Sequence, residues 1–138
     1  MTETSQQGQR NAGNLGRTTI ADGVVAKIAY LAAGDVAGVH ALGSGLSRSV
    51  GELRKRVPGG GTTVTHGVKV EVGERQAAVD LDIVAEYGEV IPDVARAVRE
   101  DVIAAVERMT GLEVVEVNIA VSDVKLPEEE EETEERVR

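Results

Sequence analysis

Residues 77–126 change from a period of two to a period near 3.6 and back again, and this change is the strongest constraint on the fold. In "AAVDLDIVAEYG" (77–88), Val79, Leu81, Ile83, Ala85 and Tyr87 alternate with mainly polar residues. "VIPDVARAVREDVIAAVERMTG" (90–111) has the spacing of an amphipathic helix, and "LEVVEVNIAVSDVKL" (112–126) alternates again. The pattern predicts strand, long helix, strand. If the two strands are parallel, the helix is the right-handed crossover between them.

The preceding half of the chain predicts a second helix and a hairpin. "TTIADGVVAKIAYLAAGD" (18–35) indicates a helix with Thr19 as N-cap in a capping box with Asp22, ending at Gly34. "VAGVHAL" is a candidate short edge strand, and "GVKVEV" pairs with 77–88 through the turn "GERQ".

Each element has a predicted inner face. In the first helix it is Ile20, Val24, Ile28 and Leu31, and in the second Val94, Val98, Val102, Ala105, Val106 and Met109. The opposite face of the sheet is expected to meet water, because its residues are polar: Lys69, Glu71, Asp80, Asp82, Glu86, Glu116 and Asn118.

The element order α-β-β-β-α-β predicts an α+β fold, a two-layer sandwich in which a small mixed sheet carries two main helices on one face. We expect one domain over residues 17–126. Residues 1–16 are a polar tail and residues 127–138 a glutamate-rich tail, and both have the composition of disordered segments.

Composition limits the function. The chain has a net charge of −9, no cysteine and 1% aromatic residues, so the core is built from Val, Ile, Leu and Ala. Without cysteine there is no disulfide or thiolate site, and the net charge disfavours nucleic-acid binding. No signal-like N-terminus and no membrane-spanning apolar run is present. A cytoplasmic protein is expected.

A basic stretch, "SRSVGELRKRVPGGG" (47–61), interrupts this acidic chain. Leu46, Val50, Leu53 and Val57 have helical spacing, which predicts a short amphipathic helix over 46–57 that ends at Pro58. Its cations are Arg48, Arg54, Lys55 and Arg56. Three interpretations remain open: a helix that covers part of the sheet, a helix that docks on anionic lipid, or one that binds an acidic protein surface, including the glutamate tail.

The search for catalytic, cofactor-binding or metal-binding residues finds no convergent set, and no enzyme is expected. His40 and His66 lie apart from other candidate ligands. Asp80 and Asp82 share a strand face and have the residue types for cation binding or acid–base work, but a plain hydrophilic strand face is the favoured interpretation. "GNLG" (13–16) has the GxxG spacing but lies in the polar tail.

Across residues 18–126 the chain resembles the alkaline-shock-protein family of envelope stress response proteins. The resemblance is carried by "TTIADGVVAKIAYLAAGDVAGVHAL", "GVKVEV" and residues 77–124, above all by Tyr87-Gly88 before the long helix and by "MTGL" before a Val-rich strand containing Asn118. It implies a small, non-enzymatic cytoplasmic protein of mainly Gram-positive bacteria. The best-known members self-assemble and line the inner face of the membrane through a separate membrane-anchor protein.

The resulting hypothesis is a self-associating scaffold, recruited to the inner face of the membrane by its anchor partner, with only indirect membrane contact and no nucleic acid. Its candidate partner-binding residues are Arg48, Arg54, Lys55, Arg56, Asp80, Asp82, Glu86 and Glu116. The alternative is a small nucleic-acid-binding α+β module that uses the basic helix as its contact.

Overall fold

The computed structural model describes residues 15–43, 57 and 61–128. Its elements, in chain order, are α1 (Asp22–Gly34), β1 (Val39–Leu42), β2 (Gly61–Thr65), β3 (Val68–Val72), β4 (Gln76–Glu86), α2 (Ile91–Thr110) and β5 (Glu113–Lys125). This confirms the α+β class, with two main helices packed on a mixed sheet. The tails 1–16 and 127–138 and the helix over 46–57 lie largely outside the described residues, so they and the domain bounds stay predictions.

β4 organises the sheet because every part of it is paired. β5 runs parallel to β4 along its full length, whereas β3 and then β1 pair antiparallel with successive parts of β4. A strand has only two edges, so β3 and β1 share one edge of β4 end to end, and β5 takes the other. The parallel β4–β5 pair confirms that α2 connects the two strands as a crossover.

β2 is a strand that the sequence analysis did not predict, and it pairs antiparallel with β3. The hairpin turns at His66 and Gly67, whose φ angles of 47° and 79° are both positive, as in a type I′ turn. Asn-Gly and Asp-Gly are the usual signals for this turn, and a His-Gly pair after a short threonine-rich segment does not stand out in sequence.

The join between β1 and β3 is a contact between two glycine backbones. The amide of Asp82 on β4 donates to the Gly67 carbonyl, and the Asp82 carbonyl accepts from the Gly43 amide, both at 2.8 Å. A Cβ on Gly67 would lie 2.3 Å from the Gly43 nitrogen. β1 and β3, which share one edge of β4, therefore meet at a point where only glycine fits.

α2 follows its sequence pattern closely. Pro92 lies in the first turn, and Val94, Val98, Val102 and Val106 are buried against the sheet. Gly111 ends the helix in the left-handed conformation at φ 75°, and its amide donates to the Glu107 carbonyl at 2.9 Å. Repeated burial at intervals of four residues explains why this helix is the element best predicted from sequence.

α1 departs from its predicted start. The N-cap is Ala21, not Thr19, and no side chain caps the helix, so the capping-box prediction is wrong. The Asp22 carboxylate instead accepts a hydrogen bond from Thr63 Oγ1 on β2 at 3.5 Å. The side chain of Asp22 therefore faces a distant strand.

The inner face of α1 is also shifted. Val25, Ala26, Ile28, Ala29 and Ala33 are buried. The predicted inward positions Val24 and Leu31 are instead 45% and 67% exposed, and Met109 of α2 is 63% exposed. These three assignments are wrong. In α1 the buried face is largely alanine, and such small side chains let a helix approach its neighbours closely, so Val24 and Leu31 remain outside the contact.

Candidate functional site

The polar face of the sheet, on the side away from the helices, is buried. Lys69 is 6% exposed, Glu71 3%, and Asp80 and Asp82 0%. The strand alternation is as predicted, since Val68, Val70 and the inward residues of β4 belong to the core on the helix side. The expectation that this face meets water is wrong for these four residues, because the chain covers both faces of β3 and β4.

Val57 is one residue of this cover. Its side chain is 2% exposed, and its backbone N–H donates to Glu71 Oε2 at 2.9 Å. The predicted amphipathic stripe had Val57 as its last buried member, whereas Leu46, Val50 and Leu53 lie outside the described residues. The end of the basic stretch is therefore held on the polar face of the sheet by a buried, charge-assisted hydrogen bond.

β5 provides hydrogen bonds to the two buried aspartates. Asn118 lies opposite Asp80 in the β4–β5 register, and its Nδ2 donates to Asp80 Oδ1 at 3.0 Å and also to a carboxylate oxygen of Glu116. Ser122 Oγ donates to Asp82 Oδ1. Buried carboxylates need such donors, because unpaired burial of a charge is costly. Ser122 and Asn118 are the partners that sequence reasoning did not assign.

The buried charges of this face are mainly negative. Among the described residues, its buried ionisable groups are three carboxylates, on Glu71, Asp80 and Asp82, and one lysine, Lys69. Lys69 lies directly opposite Asp80 in the β3–β4 register, at a spacing where cross-strand side chains interact. A buried charge is tolerated when it is paired and hydrogen-bonded, so the lysine is a structural component of this layer.

The structure separates the candidate partner-binding residues into three groups. Asp80 and Glu116 are brought together by Asn118, and Asp82 lies two residues from Asp80 on the same strand face and is bound by Ser122. Both aspartates are fully buried and Glu116 is half-buried. Glu86 is exposed at the end of β4, roughly 13 Å along the strand from Asp82. Arg48, Arg54, Lys55 and Arg56 lie outside the described residues, although the last three directly precede Val57 in the chain.

We expect Glu71→Ala to release the residues around Val57. The substitution leaves a buried N–H without its acceptor, which costs about 1–3 kcal/mol. Trypsin cleavage after Arg54, Lys55 and Arg56 should then become about tenfold faster. Glu74→Ala, which truncates an exposed glutamate at the turn after β3, is the control and should leave the cleavage rate unchanged. Equal rates for the two variants would show that the hydrogen bond does not hold this segment.

Three of the exposed apolar side chains belong to a second surface, between the two helices. Val24, Leu31 and Met109, which sequence analysis assigned to the core, line one groove of about 610 Å³ between α1 and α2. Exposed apolar residues are ordinary when scattered, whereas these three lie together in one contiguous groove. The sequence did contain a sign of this groove. The apolar residues of α1 cover a wider part of the helix surface than the part that is buried against the sheet.

Neither histidine takes part in a metal-binding group among the residues that the structure describes. The ring of His66 lies against Tyr30, with centroids 6.0 Å apart at 56°, and His40 is exposed on β1. Within residues 15–43, 57 and 61–128, no three His, Cys, Asp or Glu side chains are placed to hold a metal ion. The helices in the same part of the chain include none with the length and hydropathy to cross a membrane.

These features define a class of small two-layer α+β protein that has a hydrogen-bonded polar layer under one sheet face and an open apolar groove on its helices. Residues 10–126 match the alkaline shock protein 23 family, whose description is a cell envelope-related function, and the chain belongs to this family. This confirms the resemblance found in the sequence. No solved structure matches the chain.

Curated relatives agree with this assignment. A protein named "Stress response regulator gls24 homolog", from several serotypes of Streptococcus pyogenes, is 39% identical over 114 residues, which are 83% of this chain and 62% of the relative. "Uncharacterized protein YqhY" of Bacillus subtilis is 31% identical over 112 residues, 81% of this chain and 79% of that protein. The chain thus spans less than two thirds of the length of the streptococcal relatives.

Proposed function

We propose that this protein is a non-enzymatic scaffold of the envelope stress response, which self-associates in the cytoplasm and is held at the inner face of the cell membrane by a membrane-anchor protein. The observation that carries the proposal is the groove between α1 and α2, where Val24, Leu31 and Met109 are exposed together. A protein with an open apolar groove has a surface suited to binding another protein. The stress role is supported by the name of the streptococcal relatives.

Electrostatics support recruitment by a partner instead of direct lipid binding. The chain has a net charge of −9 and 1% aromatic residues. The cytoplasmic leaflet is itself negative, and interfacial binding usually needs Trp, Phe or Leu anchors next to a basic face. Arg48, Arg54, Lys55 and Arg56 are proposed to contact the anchor, together with the accessible acids Glu86 and Glu116 on the sheet side.

Substituting Arg54, Lys55 and Arg56 with glutamine tests the recruitment. We expect the variant to lose most of its sedimentation with native membranes, while its helical circular dichroism stays that of the unmodified protein. Exposed Arg17, Arg75 and Arg96, replaced in the same way, give a control with an equal change in charge, which should still sediment. Unchanged sedimentation of the first variant would show that the basic stretch is not the docking site.

A vesicle experiment separates direct from indirect membrane contact. The purified protein, mixed with vesicles of phosphatidylglycerol and phosphatidylethanolamine, should stay in the supernatant, because no anchor protein is present. Crosslinking followed by mass spectrometry on native membranes should then identify one membrane protein joined to this chain. Binding to the bare vesicles would contradict an anchor-dependent mechanism.

A further inference from the structure

We propose that two copies of this chain dock on each other through the groove between α1 and α2, related by a two-fold axis that places the basic end of one groove on the acidic end of the other. This inference rests on the proposed self-association and deepens it, because it names the surface, the partner and the orientation. A symmetric dimer of this kind requires a self-complementary patch, and the groove has one.

The two helices run in opposite directions across the sheet. Asp22, at the start of α1, lies beside Gly61, whose strand neighbours lead to the start of β4. Gly34, at the end of α1, lies beside Leu42, which pairs near the end of β4. α2 returns from the end of β4 to the start of the parallel strand β5, so it is antiparallel to α1.

Because the helices are antiparallel, the charges of the groove separate by sign. Lys27 lies in the first half of α1 and Arg108 in the last turns of α2, so both cations fall at one end. Asp35, just after α1, and Asp101, in the middle of α2, line the other part. At 1.5 Å per residue the two ends are about 12 Å apart along α1 and about 10 Å apart along α2.

This separation makes the groove complementary to itself. Consider a two-fold axis that lies in the interface and crosses the middle of the groove. It places Lys27 and Arg108 of one copy over Asp35 and Asp101 of the other, and by symmetry the reverse pairs form at the same separations. The four charges also cancel, whereas the whole chain has a net charge of −9. Two acidic molecules repel each other least where their facing patches are neutral, with the apolar side chains between the charged ends filling the contact.

The chain's own remaining segments fit the groove less well. Residues 1–14 and 129–138 contain few large apolar side chains, and the second is mostly glutamate, which matches the basic end alone. Residues 44–56 are tied at both ends to the sheet: Gly43 is bonded to Asp82, and Val57 to Glu71 on the face opposite the helices. A second copy therefore matches the groove best, because it offers apolar side chains to the middle of the groove and opposite charges to both ends.

A charge-exchange experiment on the full chain tests the interface. K27E/R108E makes the groove wholly acidic and D35K/D101K makes it wholly basic. Analytical ultracentrifugation of each variant alone should show dimerisation weakened by at least about tenfold, because like charges then face each other. An equimolar mixture of the two variants should restore association, now as a heterodimer. Circular dichroism and thermal melting verify that each variant is folded.

Matched controls change the same net charge outside the groove: R75E/R96E for the acidic variant and E74K/E100K for the basic one. Both should dimerise with no more than about a twofold change. An unmodified protein that stays monomeric at every concentration would overturn the proposed self-association itself. A dimer that neither groove variant weakens would overturn this interface alone. A mixture that fails to associate would overturn the direct contact between the two grooves.

Discussion

Gly67→Ala is expected to lower the free energy of unfolding by about 2–5 kcal/mol. Two costs add at this position. An alanine at φ 79° is in the left-handed region, which costs about 1–2 kcal/mol. Its Cβ would also lie 2.3 Å from the nitrogen and 2.5 Å from the Cα of Gly43, and overpacking of this kind costs about 1–3 kcal/mol. Urea denaturation followed by circular dichroism measures the sum.

Gly111→Ala separates these two costs. Gly111 has nearly the same φ, 75°, but a Cβ there would meet nothing within 4 Å. Its substitution should therefore cost only the backbone term of about 1–2 kcal/mol. The difference between the variants measures how tightly β1 and β3 meet on the edge of β4. Equal losses would show that the strands can move apart at little cost.

Lys69→Met is expected to cost about 3–5 kcal/mol, although methionine has a similar length and fits an apolar site. The substitution removes the lysine buried with Glu71, Asp80 and Asp82, and it leaves carboxylates of negligible exposure with less positive charge around them. Arg96→Met is the control. Arg96 forms an exposed ion pair with Asp93 at 2.9 Å, and its loss should cost within about 1 kcal/mol.

A double-mutant cycle tests whether Lys69 acts on its cross-strand neighbour. Asp80→Asn removes the charge at position 80 and keeps an oxygen that can accept from Asn118. The loss for the double variant should be smaller than the sum of the two single losses by about 1–3 kcal/mol, since the lysine and the aspartate are opposed in register. If the two losses in the free energy of unfolding simply add, Lys69 stabilises the protein through neighbours other than Asp80.

The buried polar layer bears on how the protein works as a scaffold. A set of charged groups that is satisfied only in one arrangement favours a unique, rigid sheet. The four charged side chains of the helix groove, in contrast, are exposed, and we expect each substitution there to change the stability by only about 0.5 kcal/mol. The separation lets charge-exchange variants of the groove report on assembly without disturbing the fold.

Local pattern was sufficient for most of the elements. Period-two alternation located β3, β4 and β5, the valine spacing of α2 gave its length and buried face, and Gly111 marked its end. The same pattern carried the family resemblance, which the family match over residues 10–126 confirms. β2 was missed because its signal is a turn with positive φ at His66, a residue that sequence rules do not single out for this role.

The sequence by itself determined the α+β class, the strand–helix–strand order and the family, because periodicity is a property of neighbouring residues, whereas the parallel pairing of β4 and β5 is seen only in the tertiary structure. Only the tertiary structure decided what covers each face. Alternation shows that Asp80 and Asp82 share a face, but their full burial is a tertiary feature, as is the hydrogen bond that holds Val57 against Glu71 on the same face. Helical spacing likewise groups Val24 with Leu31, but their exposure in a groove depends on how closely an alanine face lets α1 approach the sheet.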